Sequence, residues 1–164
     1  MSKIEDPAPT SSSPLEAESF RFQLPGRLEY REALLQFMVF LCHELEQQKN
    51  ISPDFTHRLI SSFMEAYNNA VVHASGTGPL AVTIELDVGL DKIRLQVTNT
   101  GPPVIAPKPT SADLDTLPEH GMGLFIIKSF MDSVRYDRIG HQNVIIMEKR
   151  FPNPSVETGK IGSK

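Results

Sequence analysis

Tryptophan is absent from the 164 residues, and cysteine occurs once, at Cys42. A lone thiol cannot close an internal disulfide, so nothing in the chain asks for an oxidising compartment. No apolar run approaches the roughly 18 residues of a membrane span; the longest, Phe37 to Cys42, has six. Neither sign of charge dominates, because 20 acidic and 16 basic side chains leave a net −4. That balance argues against nucleic acid or an anionic membrane as the main partner. The start, MSKIEDPAPT, has acids where an export signal has an apolar stretch, which predicts a cytoplasmic protein. Neither a G-x-x-x-x-G-K-[ST] phosphate loop nor a Cys/His metal cluster occurs.

What is there reads as one folded unit between two loose ends. Residues 1–17 hold Pro7, Pro9, Pro14 and four serines, and 152–164 hold Pro152, Pro154, Gly159 and Gly162. Such segments bury too little to offset ordering entropy, so both are expected to be disordered tails flanking a domain at 18–151. Phe20, Phe22 and Leu24 alternate as a first strand. Tyr30, Leu34, Phe37/Met38, Leu41 and Leu45 form a helical stripe, with Val39 and Phe40 widening it toward a second apolar face. Ser52-Pro53-Asp54 restarts the chain as a cap, a first-turn proline and an acid at the positive helix end. Phe55, Leu59, Phe63, Tyr67, Val71 and Ala74 continue as the next stripe. From Leu80 the period becomes two: Val82, Ile84 and Leu86 run out, and Ile93, Leu95 and Val97 return after Gly89-Leu90-Asp91. Residues 101–120 carry five prolines and little periodicity, the mark of a lid or disorder. A short apolar helix from Gly121-Met122-Gly123 to Met131 precedes a second hairpin, Val134–Ile139 and Asn143–Phe151. The expected fold class is α+β, a two-layer sandwich of helices on one face of a mixed, mostly antiparallel sheet.

Three places are candidates for chemistry. Glu65 and Asn69 are four apart and share a helix face opposite Phe63 and Tyr67. A carboxylate one turn from an amide oxygen suits a base beside a cation ligand, although alone the pair reads as a solvated face and nearby His73 as a capping residue. Thr98-Asn99-Thr100-Gly101-Pro102-Pro103, taken alone, is a turn. His120-Gly121-Met122-Gly123-Leu124 opens a helix with two glycines, which lets a phosphate approach unpaired N–H groups, but it is also simply how a helix starts.

Together these residues resemble the ATP-binding domain shared by gyrase, the ATP-dependent heat-shock chaperones, histidine kinases and MutL, called the GHKL or Bergerat fold. Glu65-x-x-x-Asn69-Ala70 resembles its N box, and Asn99-Thr100-Gly101-Pro102-Pro103 falls where D-x-G-x-G belongs. Gly121-Met122-Gly123-Leu124 matches the second glycine box. The run ending at His73-Ala74, and HGMGLFIIKSFMDSV, are most similar to bacterial anti-sigma-factor serine/threonine kinases of the RsbW type.

The resemblance implies ATP and Mg²⁺ as cofactors, with Glu65 as general base and Asn69 as the Mg²⁺ ligand. It places Asn99 under the adenine amino group, Gly101 beside the ring, and Gly121 and Gly123 at the phosphates, with His73, Lys108, Met122 and Leu124 as further ATP contacts. The implied partners are a STAS-type anti-anti-sigma protein and a sigma factor or equivalent target, with no nucleic acid or membrane, and a homodimer is allowed. Two positions depart from the pattern: Asn99 replaces the adenine-reading Asp, and Pro103 the last glycine of that box. Loss of the charged acceptor costs on the order of 1 kcal/mol, under tenfold in affinity. These departures motivate the rival expectation of a non-catalytic partner-switching adaptor.

Overall fold

The computed structural model describes residues 17–74, 81–103 and 122–152. The expectations for the two tails, for the lid beyond Pro103, and for Lys108 and Gly121 lie outside the described residues. Strand β1 (Glu18–Pro25) leads through a short 3-10 turn (Leu28–Tyr30) into helices α1 (Arg31–Lys49) and α2 (Pro53–Val72). Strands β2 (Ala81–Val88) and β3 (Lys92–Thr100), helix α3 (Met122–Phe130), and strands β4 (Ser133–Ile139) and β5 (Gln142–Arg150) complete the order. The strands form a sheet in the order β1-β2-β3-β5-β4. All four pairings are antiparallel, so the expected mixed character is corrected: each neighbour returns by a hairpin or by a helical excursion that reverses direction.

Local chemistry explains the boundaries. Ser52 Oγ accepts the Phe55 N–H at 3.3 Å with Pro53 in the first turn, as the spacing predicts. Asn50 closes α1 in the left-handed region at φ 51°, and Gly140 turns the β4–β5 hairpin at φ 60°. Buried stripes fall on Leu34, Met38, Leu41 and Leu45 of α1 and on Phe55, Leu59, Phe63 and Tyr67 of α2. The Tyr67 hydroxyl donates to the Arg27 carbonyl at 2.6 Å, which settles a polar atom inside an otherwise apolar stripe. Val39 and Phe40 are exposed, 47% and 64%, so the wider apolar face of α1 does point outward.

Three of the rows that the register makes on the inner sheet face lead toward the site. Phe20, Leu86, Leu95, Met147 and Val134 lie side by side; the next row is Phe22, Ile84, Val97, Ile145 and Tyr136. The third is Leu24, Val82, Asn99, Asn143 and Arg138. The first of these rows is wholly apolar and packs the core; the row beyond it carries Val88, Ile93 and the buried Lys149, and on the site side polarity enters on β3, β5 and β4. The outer face is wet and carries exposed or half-buried pairs such as Arg94–Asp87 at 3.2 Å and Lys92–Glu148 at 2.8 Å, each a small contribution. No described helix is long and apolar enough to cross a membrane.

Cys42 sits inside α1 at 2% exposure. Burial, with a smaller contribution from Glu46, pushes its thiol up to about 12. Because the thiolate is the reactive form, the native protein is expected to resist a thiol reagent at pH 8 and to label at one site on unfolding in urea. Stoichiometric labelling under native conditions contradicts the packing.

Candidate functional site

Helix α2 brings the polar residues of the site into the interior. Its Phe63 and Tyr67 face the core, while Glu65 and Asn69, on the other side, are half-buried. They meet α3. A Cβ placed on Gly123 would lie 2.6 Å from Glu65 Oε2 and 3.3 Å from Asn69 Nδ2. The first turn of α3 thus rests directly on this pair, with its positive end toward a carboxylate. The far end of α3 is held as well: Lys149 Nζ donates to the Phe130 carbonyl at 2.7 Å and lies 5.1 Å from the Phe55 ring centroid.

The loop after β3 makes the second close approach. A Cβ on Gly101 would collide with the carbonyl oxygen of His73, the residue that caps α2. Neither Gly101 nor Gly123 has a positive φ, so glycine serves here for space and not for backbone freedom. Arg138 Nη1 donates to the Gly101 carbonyl at 2.8 Å and to Asn143 Oδ1 at 2.7 Å. Asn143 Nδ2 donates to the Pro102 carbonyl at 2.8 Å, and the Gly101 N–H to the His141 carbonyl at 3.2 Å. The turn is therefore moored to the β4–β5 hairpin by three hydrogen bonds, and the Arg138–Asn143 bond ties two of the mooring side chains together.

Between α2, α3 and the polar end of the sheet lies a cleft of about 200 Å³. Ala66 and Ala70 of α2 and Leu124 of α3 form one wall; Val97 and Ile145 form the floor. Asn69, His73, Asn99 and Pro103 also line it. Asn99 is 5% exposed, and its Nδ2 has no hydrogen-bond partner among the described residues. The Tyr136 hydroxyl on the same floor is likewise buried and unpartnered among them. Burial pushes that phenol up to about 12, so it stays protonated at neutral pH.

The expected residues thus converge, with differences. Asn69, His73, Asn99 and Leu124 line the cleft; Gly101 and Gly123 frame it by close approach; Glu65 stands beside it at the Gly123 contact. Met122 is 49% exposed and is not part of the lining. The sequence reading missed Tyr136, Arg138 and Asn143. Their only signal was that they are polar positions of the second hairpin, alongside Arg135, Asp137 and Glu148.

An apolar slot with buried amide and hydroxyl groups at its base suits a flat heteroaromatic ring. Among the described residues no cluster of three or more His, Cys, Asp or Glu side chains would hold a metal unaided. Mg²⁺ does not need one, since it takes one or two protein oxygens and completes its shell with phosphates and water. The residues present therefore fit a nucleotide with Mg²⁺.

Residues 29–149 match the family model of the histidine kinase-like ATPase domain, and the chain belongs to that family, within the GHKL superfamily. Among solved structures, the RsbU and RsbW domains of Rv1364c from Mycobacterium tuberculosis align at TM-score 0.58 and 12% identity over 82% of this chain. This chain spans about a third (32%) of that protein's length, and at this identity the likeness is one of fold. The histidine kinase ThkA catalytic domain aligns at TM-score 0.43 and 17% identity, covering 84% of this chain and 98% of that one. A comparison with curated proteins returns no match.

The two close approaches are expected to respond differently to alanine. At Gly101 the obstacle is backbone, so Gly101→Ala should cost ~1–3 kcal/mol in urea denaturation, with no side chain to remove in relief. At Gly123 the obstacle is the end of Glu65, so the clash competes with a helix-propensity gain of ~1 kcal/mol. Gly123→Ala should therefore destabilise in the wild-type background and stabilise in a Glu65→Ala background. An additive double-mutant cycle rules out the contact.

Proposed function

We propose that the protein is an ATP-dependent serine/threonine kinase of the anti-sigma type. It would phosphorylate a STAS-type anti-anti-sigma partner and sequester a sigma factor or equivalent regulator. The observation that carries this reading is the contact of Glu65 and Asn69 with Gly123 at the mouth of an apolar cleft with Asn99 at its base. Membership of a nucleotide-binding family and a fold shared with an RsbW-containing structure support it.

Bound ATP with Mg²⁺ supplies the phosphoryl group and the cation that neutralises its oxygens. In this reading Asn69 offers its amide oxygen to the cation, and the N–H groups opening α3 at Gly123 face the phosphates. The Glu65 carboxylate, one turn from Asn69, takes the proton from the incoming serine or threonine hydroxyl. Gly121 and Lys108, where the resemblance places further phosphate contacts, belong to the same proposal. Asn99 reads the base, and Ala66, Ala70, Val97 and Leu124 exclude water from the ring.

One observation favours a second reading, a non-catalytic adaptor: Pro103 stands on the cleft wall where the family pattern has a glycine. Calorimetry separates the two, since an adaptor binds its partner tightly without binding ATP or ADP.

The kinase reading is tested by incubating the full chain with Mg-ATP and a STAS-domain partner and following phosphoserine or phosphothreonine. Transfer is expected, and Glu65→Gln should lower its rate about 100-fold or more, the scale of a positioned general base. Absence of transfer, or a Glu65→Gln protein as fast as wild type, refutes the kinase.

A further inference from the structure

Asn99 is a neutral carboxamide at a position that is 95% buried, and its Nδ2 finds no partner among the described residues. Whatever fills the cleft must therefore offer it an acceptor, because a buried N–H left unpaired opposes binding. A carboxylate at the same place would be acceptor-only and would pair with a donor alone. A carboxamide carries a donor and an acceptor at the two ends of one plane, and a half-turn about its Cβ–Cγ bond exchanges them.

The Watson–Crick edges of the two purines are mirror patterns of this kind. Adenine presents an exocyclic N–H donor beside the N1 acceptor; guanine presents the O6 acceptor beside the N1–H donor. Either edge can make two hydrogen bonds to a carboxamide, one in each direction. The second unpartnered group on the floor has the same ambivalence. The Tyr136 hydroxyl lies two strands away from β3, in the row of Val97 and Ile145. It both donates and accepts. The apolar part of the slot, Ala66, Ala70, Val97 and Leu124, carries no side-chain hydrogen-bonding group; of the other polar lining residues, Arg138 and Asn143 are engaged with the Gly101–Pro102 turn, Asp137 pairs with Arg135, and Asn69 and His73 stand on α2.

We propose that Asn99 makes this cleft a purine-nucleotide site that does not discriminate adenine from guanine, so that GTP is accepted alongside ATP. The inference rests on the reading of the cleft as a nucleotide site and sharpens it to a substrate class.

The test is equilibrium binding of ATP, GTP and inosine triphosphate to the full chain with Mg²⁺ by calorimetry. Inosine triphosphate keeps the O6 and N1–H of guanine but lacks its 2-amino group. The three dissociation constants are expected to agree within about tenfold, the scale of one neutral hydrogen bond. Asn99→Asp should shift the affinity ratio of ATP to inosine triphosphate toward ATP by at least about tenfold, since a carboxylate meets O6 with no proton between them and inosine has no 2-amino group to offer instead. A wild-type protein that binds ATP but takes GTP more than about a hundredfold weaker overturns the inference and leaves the kinase reading standing. So does a ratio unchanged by Asn99→Asp in a variant that still melts cooperatively. If no triphosphate binds to the wild type, the nucleotide reading falls and this inference with it. The wild-type ratio decides the matter even where the variant does not fold.

Discussion

The cleft depends on two places where backbone comes so close to α2 that an added methyl group would meet an obstacle, fixed backbone at one and movable side-chain ends at the other. Gly101 lies against the carbonyl that ends the helix, and Gly123 against Glu65 and Asn69, about one turn further back. These contacts fix the separation of three elements that share little sequence proximity: the end of β3, the start of α3 and the polar side of α2. A methyl at Gly101 would push the turn off the helix end, and one at Gly123 would displace the Glu65 carboxylate. Three hydrogen bonds to Arg138, Asn143 and His141 hold the Gly101 turn in place from the opposite side. Lys149 does the same for α3 by binding the carbonyl of Phe130. A site on rigid elements, braced from both sides, is what positioning chemistry requires.

Much of this fold was legible because its elements obey simple periods. The stripes of α1 and α2, the Ser52 cap and the alternation of Val82–Leu86 with Ile93–Val97 each follow from local sequence, and the structure places them as read. The polar face of α2 was legible as a pair at helical spacing. What it faced was not. Gly123 reaches Glu65 across 58 positions of chain, a contact that no local period encodes. The wholly antiparallel sheet was missed for the same reason, since the pairing of β3 with β5 joins segments separated by α3 and β4.

Tyr136, Arg138 and Asn143 show the limit most clearly. In the sequence they are polar interruptions of a terminal hairpin, no different in kind from the outward-facing Arg135 or Glu148. Only the register decides that Tyr136 shares a row with Val97 and that Arg138 and Asn143 share one with Asn99. A slip of one residue would turn all three to the wet face. The same register explains the gradient from the all-apolar row through Leu95 and Met147 to the mixed row through Asn99. The core ends, and the site begins, within two residues along each strand.

That gradient carries an energetic consequence. An unpartnered buried polar group costs ~1–3 kcal/mol, and a domain holds only about 5–15 kcal/mol of net stability. Asn99 and Tyr136 each bring such a group to the cleft floor. Valine and phenylalanine would fill the same rows at no such cost, as Val82 and Phe22 do in the neighbouring strands. A ligand that pairs these polar atoms would stabilise the fold through binding linkage, so the stability of the domain and the occupancy of its site are coupled through the same side chains.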